Sequence, residues 1–338
     1  MLKGFCYGVT LFAFVFASSA LTAPIPPDGN PVRSLWVEKT PTLDALESEA
    51  SMDTLINYAV AGGVNRIYMT VYDYVHLNDR GDDMKTFLQK AAAADIRVEA
   101  LYGAVGWVDS QANYDWALAR IDDLLLFNDE ALLETGTGFA GIHLDLEYWA
   151  GSTYQSADDA TKEEIEQRYI DFLDEVHTDK TTPAGLDLAI DLPWWMDISG
   201  ETQRPTQLSD AMDEVDSVNI LSYRDIALDV FNISEGELAL ADDKDLEILL
   251  AALTMPPNGT DINAWNTYFD ESQFLMEVQL GLATEMIDDA GYDTFAGFGI
   301  YHYETYATMP VPEPGTAALA VISLSALAAF FRKRKTGS

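Results

Sequence analysis

The stretch GIHLDLEYW, residues 141–149, decides how the chain is read, because His143, Asp145 and Glu147 fall at alternate positions of an otherwise apolar run. Side chains two apart along a strand share a face, so the three polar groups point one way while Ile142, Leu144 and Leu146 point the other. With the run at 139–149, seven more short runs rich in β-branched or aromatic residues make eight candidate strands: 34–39, 64–72, 96–103, 186–195, 217–224, 246–254 and 295–303. Helical stretches separate them, among them SMDTLINYAVAGG (51–63), DDMKTFLQKAAAAD (82–95) and KEEIEQRYIDFLDEVH (162–177), with Gly or Asp near several ends as caps require. Strand and helix alternate, and the strands are nearly continuous in apolar residues, which predicts a parallel sheet covered on both faces. Eight such units predict an α/β fold of the (β/α)8 TIM-like barrel type over residues 31–309. A doubly wound open sheet is the competing arrangement, since the fifth-to-sixth connection, 196–216, has room for only a short helix.

Both ends differ from the rest. Lys3 precedes an apolar run from Phe5 to Ala17, and Ser18, Ser19 and Ala20 supply small residues at a cleavage site, so residues 1–20 read as a signal peptide. Near the other end, Pro312, Glu313 and Pro314 lead into an apolar stretch closed by Arg332, Lys333, Arg334 and Lys335. An apolar helix stopped by a basic cluster is a membrane segment with its charged end on the cytoplasmic side. At about 16 residues it is shorter than the roughly 20 a spanning helix needs, which suits a transient anchor in the inner membrane.

The chain carries 56 acidic against 19 basic residues, a net charge of −37, and 14 of the basic residues lie between 31 and 311. Such a surface repels nucleic acid, whose binding depends on cationic contacts to phosphate. The single cysteine, Cys6, falls in the leader, so the mature chain has neither disulfides nor thiol chemistry and depends on its core. No cofactor is expected.

In a barrel, function collects where strands end at the C-terminal face. Strand four ends there in Asp145 and Glu147, strand five in Asp191, Trp194 and Trp195, strand six in Asn219 and Tyr223, with Asp225 just after. Strand eight adds Tyr301, His302 and Glu304, strand two Tyr68, Tyr72 and Asp73, strand three Glu99 and Tyr102. This acidic and aromatic rim suits polysaccharide, since aromatic faces stack on sugar rings and paired carboxyls do glycosidic acid and base work. Alternate residues stand about 6.6 Å apart along a strand, close enough for Asp145 and Glu147 to interact when their side chains bend together. Like-charge proximity then raises one of the two, keeping Glu147 protonated near neutrality and able to donate to a leaving oxygen. The substrate-facing candidates are His143, Asp191, Trp194, Trp195, Tyr72, Tyr301 and His302. A metal-dependent hydrolase is a further reading, because His143, Asp145 and Glu147 share one face and His302 approaches from strand eight; consecutive alternate residues on one strand seldom converge on one ion, and no metal is expected.

Two resemblances sharpen these expectations. The Pro-Glu-Pro, apolar stretch and basic end resemble the PEP-CTERM sorting signal of Gram-negative bacteria over residues 311–336, which implies recognition by an exosortase and delivery to the cell surface or an exopolysaccharide matrix. GIHLDLEYW resembles the fourth-strand signature of glycoside hydrolase family 18, the chitinase-like barrels, in which three alternating acids occur. Asp145 and Glu147 keep the second and third, and His143 stands in place of the first. Tyr223 of ILSYRD matches the family's strand-six Tyr, with the following Asp displaced to Asp225, and His302 of GIYHYE stands near the position of a Trp that closes the sugar subsite. The resemblance implies Glu147 as acid/base, Asp145 orienting the 2-acetamido group that acts as nucleophile, and Tyr223 hydrogen-bonding that group. His143 alters the proton relay of such a site; taken alone it reads equally as a core histidine. Three readings therefore stand: a secreted glycosidase, a glycan-binding matrix protein that has lost catalysis, and a sorted surface protein whose barrel has an unrelated role.

Overall fold

The computed structural model describes residues 31–71, 80–196 and 205–310. The leader at 1–20, Tyr72 and the sorting tail with Pro312, Glu313, Pro314, Arg332, Lys333 and Arg334 lie outside the described residues. Eight parallel strands form a closed barrel in sequence order: β1 Val32–Val37, β2 Arg66–Thr70, β3 Arg97–Tyr102, β4 Gly141–Leu144, β5 Asp187–Pro193, β6 Ser217–Leu221, β7 Glu247–Leu253 and β8 Phe295–Tyr301. Closure comes from β1 against β8, with Ser34 beside Gly299, and this rules out the open sheet. A helix follows each strand: α1 Glu49–Ala61, α2 Gly81–Ala93, α3 Gln111–Thr135, α4 Asp159–Asp174, α5 Pro205–Asp213, α6 Ala227–Lys244, α7 Gln273–Ala290 and α8 Tyr303–Tyr306. The short fifth connection is thus still a βα unit, its helix being α5.

Strand periodicity explains the two layers. Outward residues such as Leu35, Ile67, Ile142, Ile190, Ile220 and Leu250 are fully buried against the helices, each removing apolar surface worth about 1.5–3 kcal/mol. The inward positions are different in kind. Across the register Trp36 pairs with Tyr68, Tyr68 with Glu99, Leu101 with His143, His143 with Ala189, and Asp191 with Asn219. A barrel centre built of these residues buries charge, and it does so in pairs. At the N-terminal end Arg66 meets Glu247 at 2.8 Å and Glu99 at 3.4 Å, while Arg97 reaches the same Glu99 at 2.8 Å. Removing one partner of such a set would strand its neighbours, a cost of about 3–5 kcal/mol. Above this ionic floor Trp36, Tyr68, Leu101 and Ala251 form a small apolar plug. Gly299 makes room for it: a Cβ there would stand 2.3 Å from the Trp36 ring.

The fourth strand is shorter than the alternation in GIHLDLEYW predicts. It ends at Leu144; the Asp145 amide still donates to Tyr102 O at 2.8 Å, and the chain then turns through Glu147 into a single 3₁₀ turn at Tyr148–Ala150. Two contacts draw it out of the ladder. Gly103, with φ +151, lets the end of β3 press against Asp145, where any Cβ would lie 1.9 Å from the Asp145 carbonyl oxygen. Tyr148 packs its ring between Trp149, Tyr154 and Tyr169, with centroids 4.9–5.2 Å away. Asp145 and Glu147 therefore sit just beyond the strand, on its loop.

Candidate functional site

A cleft of about 230 Å³ opens at the C-terminal mouth of the barrel. Asp145 and Glu147 from the loop after β4, Asp191 of β5, Tyr223 after β6 and Tyr301 of β8 bring their polar groups to it. Leu221, Leu253, Met255 and Ile262 supply apolar wall, and Asn266 from the β7–α7 connection adds an amide. A fourth carboxyl, the exposed Asp261, lies on the lining, and the three deeper ones, Asp145, Glu147 and Asp191, cannot all ionise cheaply in a half-closed apolar cleft. Burial, aggravated by the charges of Asp191, Glu147 and Glu38, pushes Asp145 well above the usual carboxylate range. Asp191 is raised in the same way, chiefly by burial, against the opposing pull of hydrogen bonds from Trp36 and Asn219. Burial and Asp191 lift Glu147 to about 7, even with a hydrogen bond from Trp149 favouring its anion. Glu147 is thereby poised between acid and base at neutral pH, as a group that must both give and take a proton requires. Burial likewise raises the Tyr223 and Tyr301 hydroxyls, which stay neutral and able to donate.

The remaining predicted residues fall in other places. His143 is 0% exposed, beneath the cleft floor, with its ring stacked on Tyr68 at 3.8 Å between centroids. It reaches the cleft only through Asp191, whose Oδ1 lies 3.0 Å from Nε2. A direct sugar contact from His143 is excluded by that burial. Burial and Arg66 hold its pKa down to about 3 against the attraction of Glu99, so the imidazole is neutral. His302 is also buried and absent from the cleft lining; its carbonyl accepts Thr254 Oγ1 and Thr305 Oγ1, both at 3.2 Å, tying the end of β8 to β7. Trp194 and Trp195 are half-buried outside the cleft. The Arg224 guanidinium lies over two rings, that of Trp194 at 4.9 Å and that of Trp265, 53% exposed, at 4.5 Å. Trp195 meets Trp149 edge-on at 6.1 Å. These rings brace the rim between the β5, β6 and β7 loops. Asp225 does not line the cleft. Among the described residues no group of three or more His, Cys, Asp or Glu is placed to hold a metal ion, and His143 faces Asp191 and Glu99 instead of joining Asp145 and Glu147.

Two residues that bear on the charges of the cleft escaped the sequence reading. Glu38 follows β1, hydrogen-bonds Tyr301, and adds its charge to Asp145 and Asp191; burial raises it as well. Trp36 donates its indole N–H to Asp191 Oδ2 at 3.4 Å. The alternation in SLWVEK places both on one face with Ser34, a signal as good as that on strand four. Asn266 and Met255 come from an irregular connection and carry no periodic signal.

Residues 310–335 match the PEP-CTERM protein-sorting motif, the mark of an exported, sorted chain. No curated protein matches in sequence. Solved structures share the barrel. The C-terminal domain of a candidate chitinase from Desulfitobacterium hafniense is 11% identical, with 80% of this chain and 93% of that chain covered at a TM-score of 0.51. A spore cortex-lytic enzyme from Bacillus cereus is 11% identical over 87% of this chain and 75% of its own, TM-score 0.49. A chitinase from Chromobacterium violaceum is 12% identical over 81% and 95%, TM-score 0.48. The likeness is one of fold, a closed TIM-like barrel. Among the described residues no helix is long and apolar enough to cross a membrane.

Proposed function

We propose that the protein is an exported glycoside hydrolase that cuts an extracellular polysaccharide, an amino-sugar polymer, with Glu147 as its acid/base. The observation that carries this reading is the gathering of Glu147, Asp145 and Tyr223 in one cleft, where burial and Asp191 bring Glu147 to about 7. In the reaction, Glu147 gives its proton to the glycosidic oxygen as the bond to the anomeric carbon breaks. The substrate's own acetamido oxygen closes on that carbon, oriented by Asp145 and by the Tyr223 hydroxyl, so the protein need supply no second nucleophile. Glu147, now a carboxylate, takes a proton from the water that opens the ring intermediate and is restored. The sorting motif supports processing by an exosortase, transient anchoring in the inner membrane through the tail, and residence at the cell surface or in its matrix.

His143 favours a second reading, a barrel that binds glycan without cutting it, because a neutral buried imidazole occupies a position where the family resemblance calls for an acid. The two readings part in one assay. Wild type and Glu147→Gln are incubated with chitin oligosaccharides and with the producing cell's own exopolysaccharide, and both reducing-end release and binding are measured. Hydrolysis by wild type, lost about 10²–10⁴-fold in the variant with binding retained, supports the enzyme. Binding by both proteins with no hydrolysis by either supports the binding protein.

A further inference from the structure

Arg224 is a cation without a carboxylate. Elsewhere in this acidic chain Arg66, Arg97, Lys85, Lys90 and Lys244 each meet at least one acid. Arg224, half-buried after β6, donates through Nη1 to Tyr223 O at 2.7 Å, and no carboxylate among the described residues comes within ion-pair distance of it. Burial pushes its pKa down, and the charges of Asp229, in the first turn of α6, and Asp225 offset only part of that cost. The guanidinium lies instead over two rings, Trp194 just after β5 and Trp265 on the β7–α7 connection. Neither ring contact uses an N–H, so the rest of the donor fork stays unfilled. Trp265 is 53% exposed, yet the turn that carries it is pinned. Asn266 Oδ1 accepts the Asn263 N–H at 2.8 Å, Asn266 Nδ2 donates to Asp261 O at 3.2 Å, and Thr267 Oγ1 donates to Met255 O at 2.7 Å. An open indole on a fixed turn, beside an unpaired guanidinium, offers one surface to a sugar ring and one to an anion. The pair stands next to the cleft, since Tyr223 precedes Arg224, Asn266 follows Trp265, and both line it.

We propose that Arg224, Trp265 and Trp194 form a subsite on the rim for a hexuronate, a sugar ring bearing a carboxylate, next to the sugar held at Glu147. The C–H face of the ring rests on Trp265, Trp194 fixes the guanidinium, and the carboxylate takes the open N–H groups of Arg224. A planar guanidinium can make that pairing with two parallel hydrogen bonds, which a lysine cannot. In the cleft itself the charges run the other way. Asp145, Glu147, Asp191 and Asp261 line it, so an acidic sugar is repelled there and a neutral one accepted. The net charge of −37 also repels a dense polyanion at long range. One cation beside an acidic cleft therefore selects a polymer whose acids come singly, between neutral sugars. For the neighbouring sugar the proposal rests on the glycosidase reading, and the substrate narrows to an acidic heteropolysaccharide in which an amino sugar adjoins a uronic acid.

The test is binding to the full-length chain carrying Glu147→Gln, so that cleavage does not intrude. Two matched pairs of ligands are compared: methyl glucuronoside with methyl glucoside by NMR, and oligosaccharides alternating N-acetylglucosamine and glucuronate with the same oligosaccharides reduced to alcohols at the carboxyl, by calorimetry. The acid member should bind about tenfold more tightly, and adding Arg224→Gln should bring the two members within about twofold. Equal affinity for acid and alcohol in both pairs, or a preference that survives Arg224→Gln, overturns the proposal. Trp265→Ala, at an exposed position, should weaken both oligosaccharides by about threefold or more through loss of the ring contact; unchanged affinities overturn the subsite, and this variant decides should Arg224→Gln fail to fold. A wild type that cuts chitin oligosaccharides while no acid preference is found defeats the subsite alone. An acid preference that depends on Arg224, in a protein whose wild type cuts neither polymer, defeats the glycosidase reading alone.

Discussion

Replacing Glu147 by glutamine stabilises the protein, and does so increasingly as pH rises. An ordinary glutamate titrates near 4.5, and burial beside Asp191 lifts Glu147 to about 7 in the folded chain. Between those values the native state holds a proton that the unfolded chain has released, so stability falls as pH climbs through the window and stays lowered above it. The gap corresponds to about 3 kcal/mol above pH 7, trimmed to about 2–3 by the partial exposure of the cleft. A glutamine carries none of this cost, and its carbonyl can still accept the Trp149 N–H. Urea unfolding of wild type and Glu147→Gln at pH 5 and pH 8 reads the effect directly. The variant should gain little at pH 5 and about 2–3 kcal/mol at pH 8, with equal m-values. A stability difference that is the same at both pH values would refute the reasoning, because it would mean that the cleft does not strain the Glu147 anion. Under the proposed glycosidase reading, a loss of catalysis accompanies this gain, the trade expected where a site holds a charge at a cost.

Three other perturbations follow from particular contacts. Gly299→Ala forces a methyl group into the Trp36 ring, 2.3 Å away, and should cost about 1–3 kcal/mol in urea unfolding with a shift in tryptophan fluorescence. Arg224→Ala removes the guanidinium that lies over both Trp194 and Trp265; since Trp265 is half in solvent, the expected loss is only about 1 kcal/mol, with greater accessibility of the two rings to a neutral fluorescence quencher. Glu99→Gln leaves Arg66 and Arg97 short of a shared carboxylate under the plug and should destabilise by about 3–5 kcal/mol; a loss below about 1 kcal/mol would show that water or Glu247 takes over the pairing.

The barrel was legible because its outward positions obey a strict period of two and its helices fall between the strands; even the short α5 fits once β8 is seen to close on β1. The end of β4 was misplaced because alternation continues in the letters after the hydrogen-bond ladder has stopped, and nothing in GIHLDLEYW reports that Gly103 sits against Asp145. The same limit applies to His143: its face was readable, its depth was not, since depth depends on the register with Leu101 and Ala189. Glu38 and Trp36 carried the same alternating signal on β1 and show that every strand of a barrel has to be read for its inward end. Trp194 and Trp195 were predicted as cleft aromatics, whereas their partners, Arg224, Trp265 and Trp149, come from other loops that no local pattern brings together.

The most direct test of Glu147 as an acid that works near neutrality is the pH profile of hydrolysis by wild-type protein on the polymer it cuts, beside Glu147→Gln. The rate should fall as pH rises through about 7, where Glu147 loses its proton, and the variant should retain no more than about a hundredth of the wild-type rate below that point. A variant as active as wild type, or a wild-type rate unchanged between pH 5 and pH 9, would contradict the account.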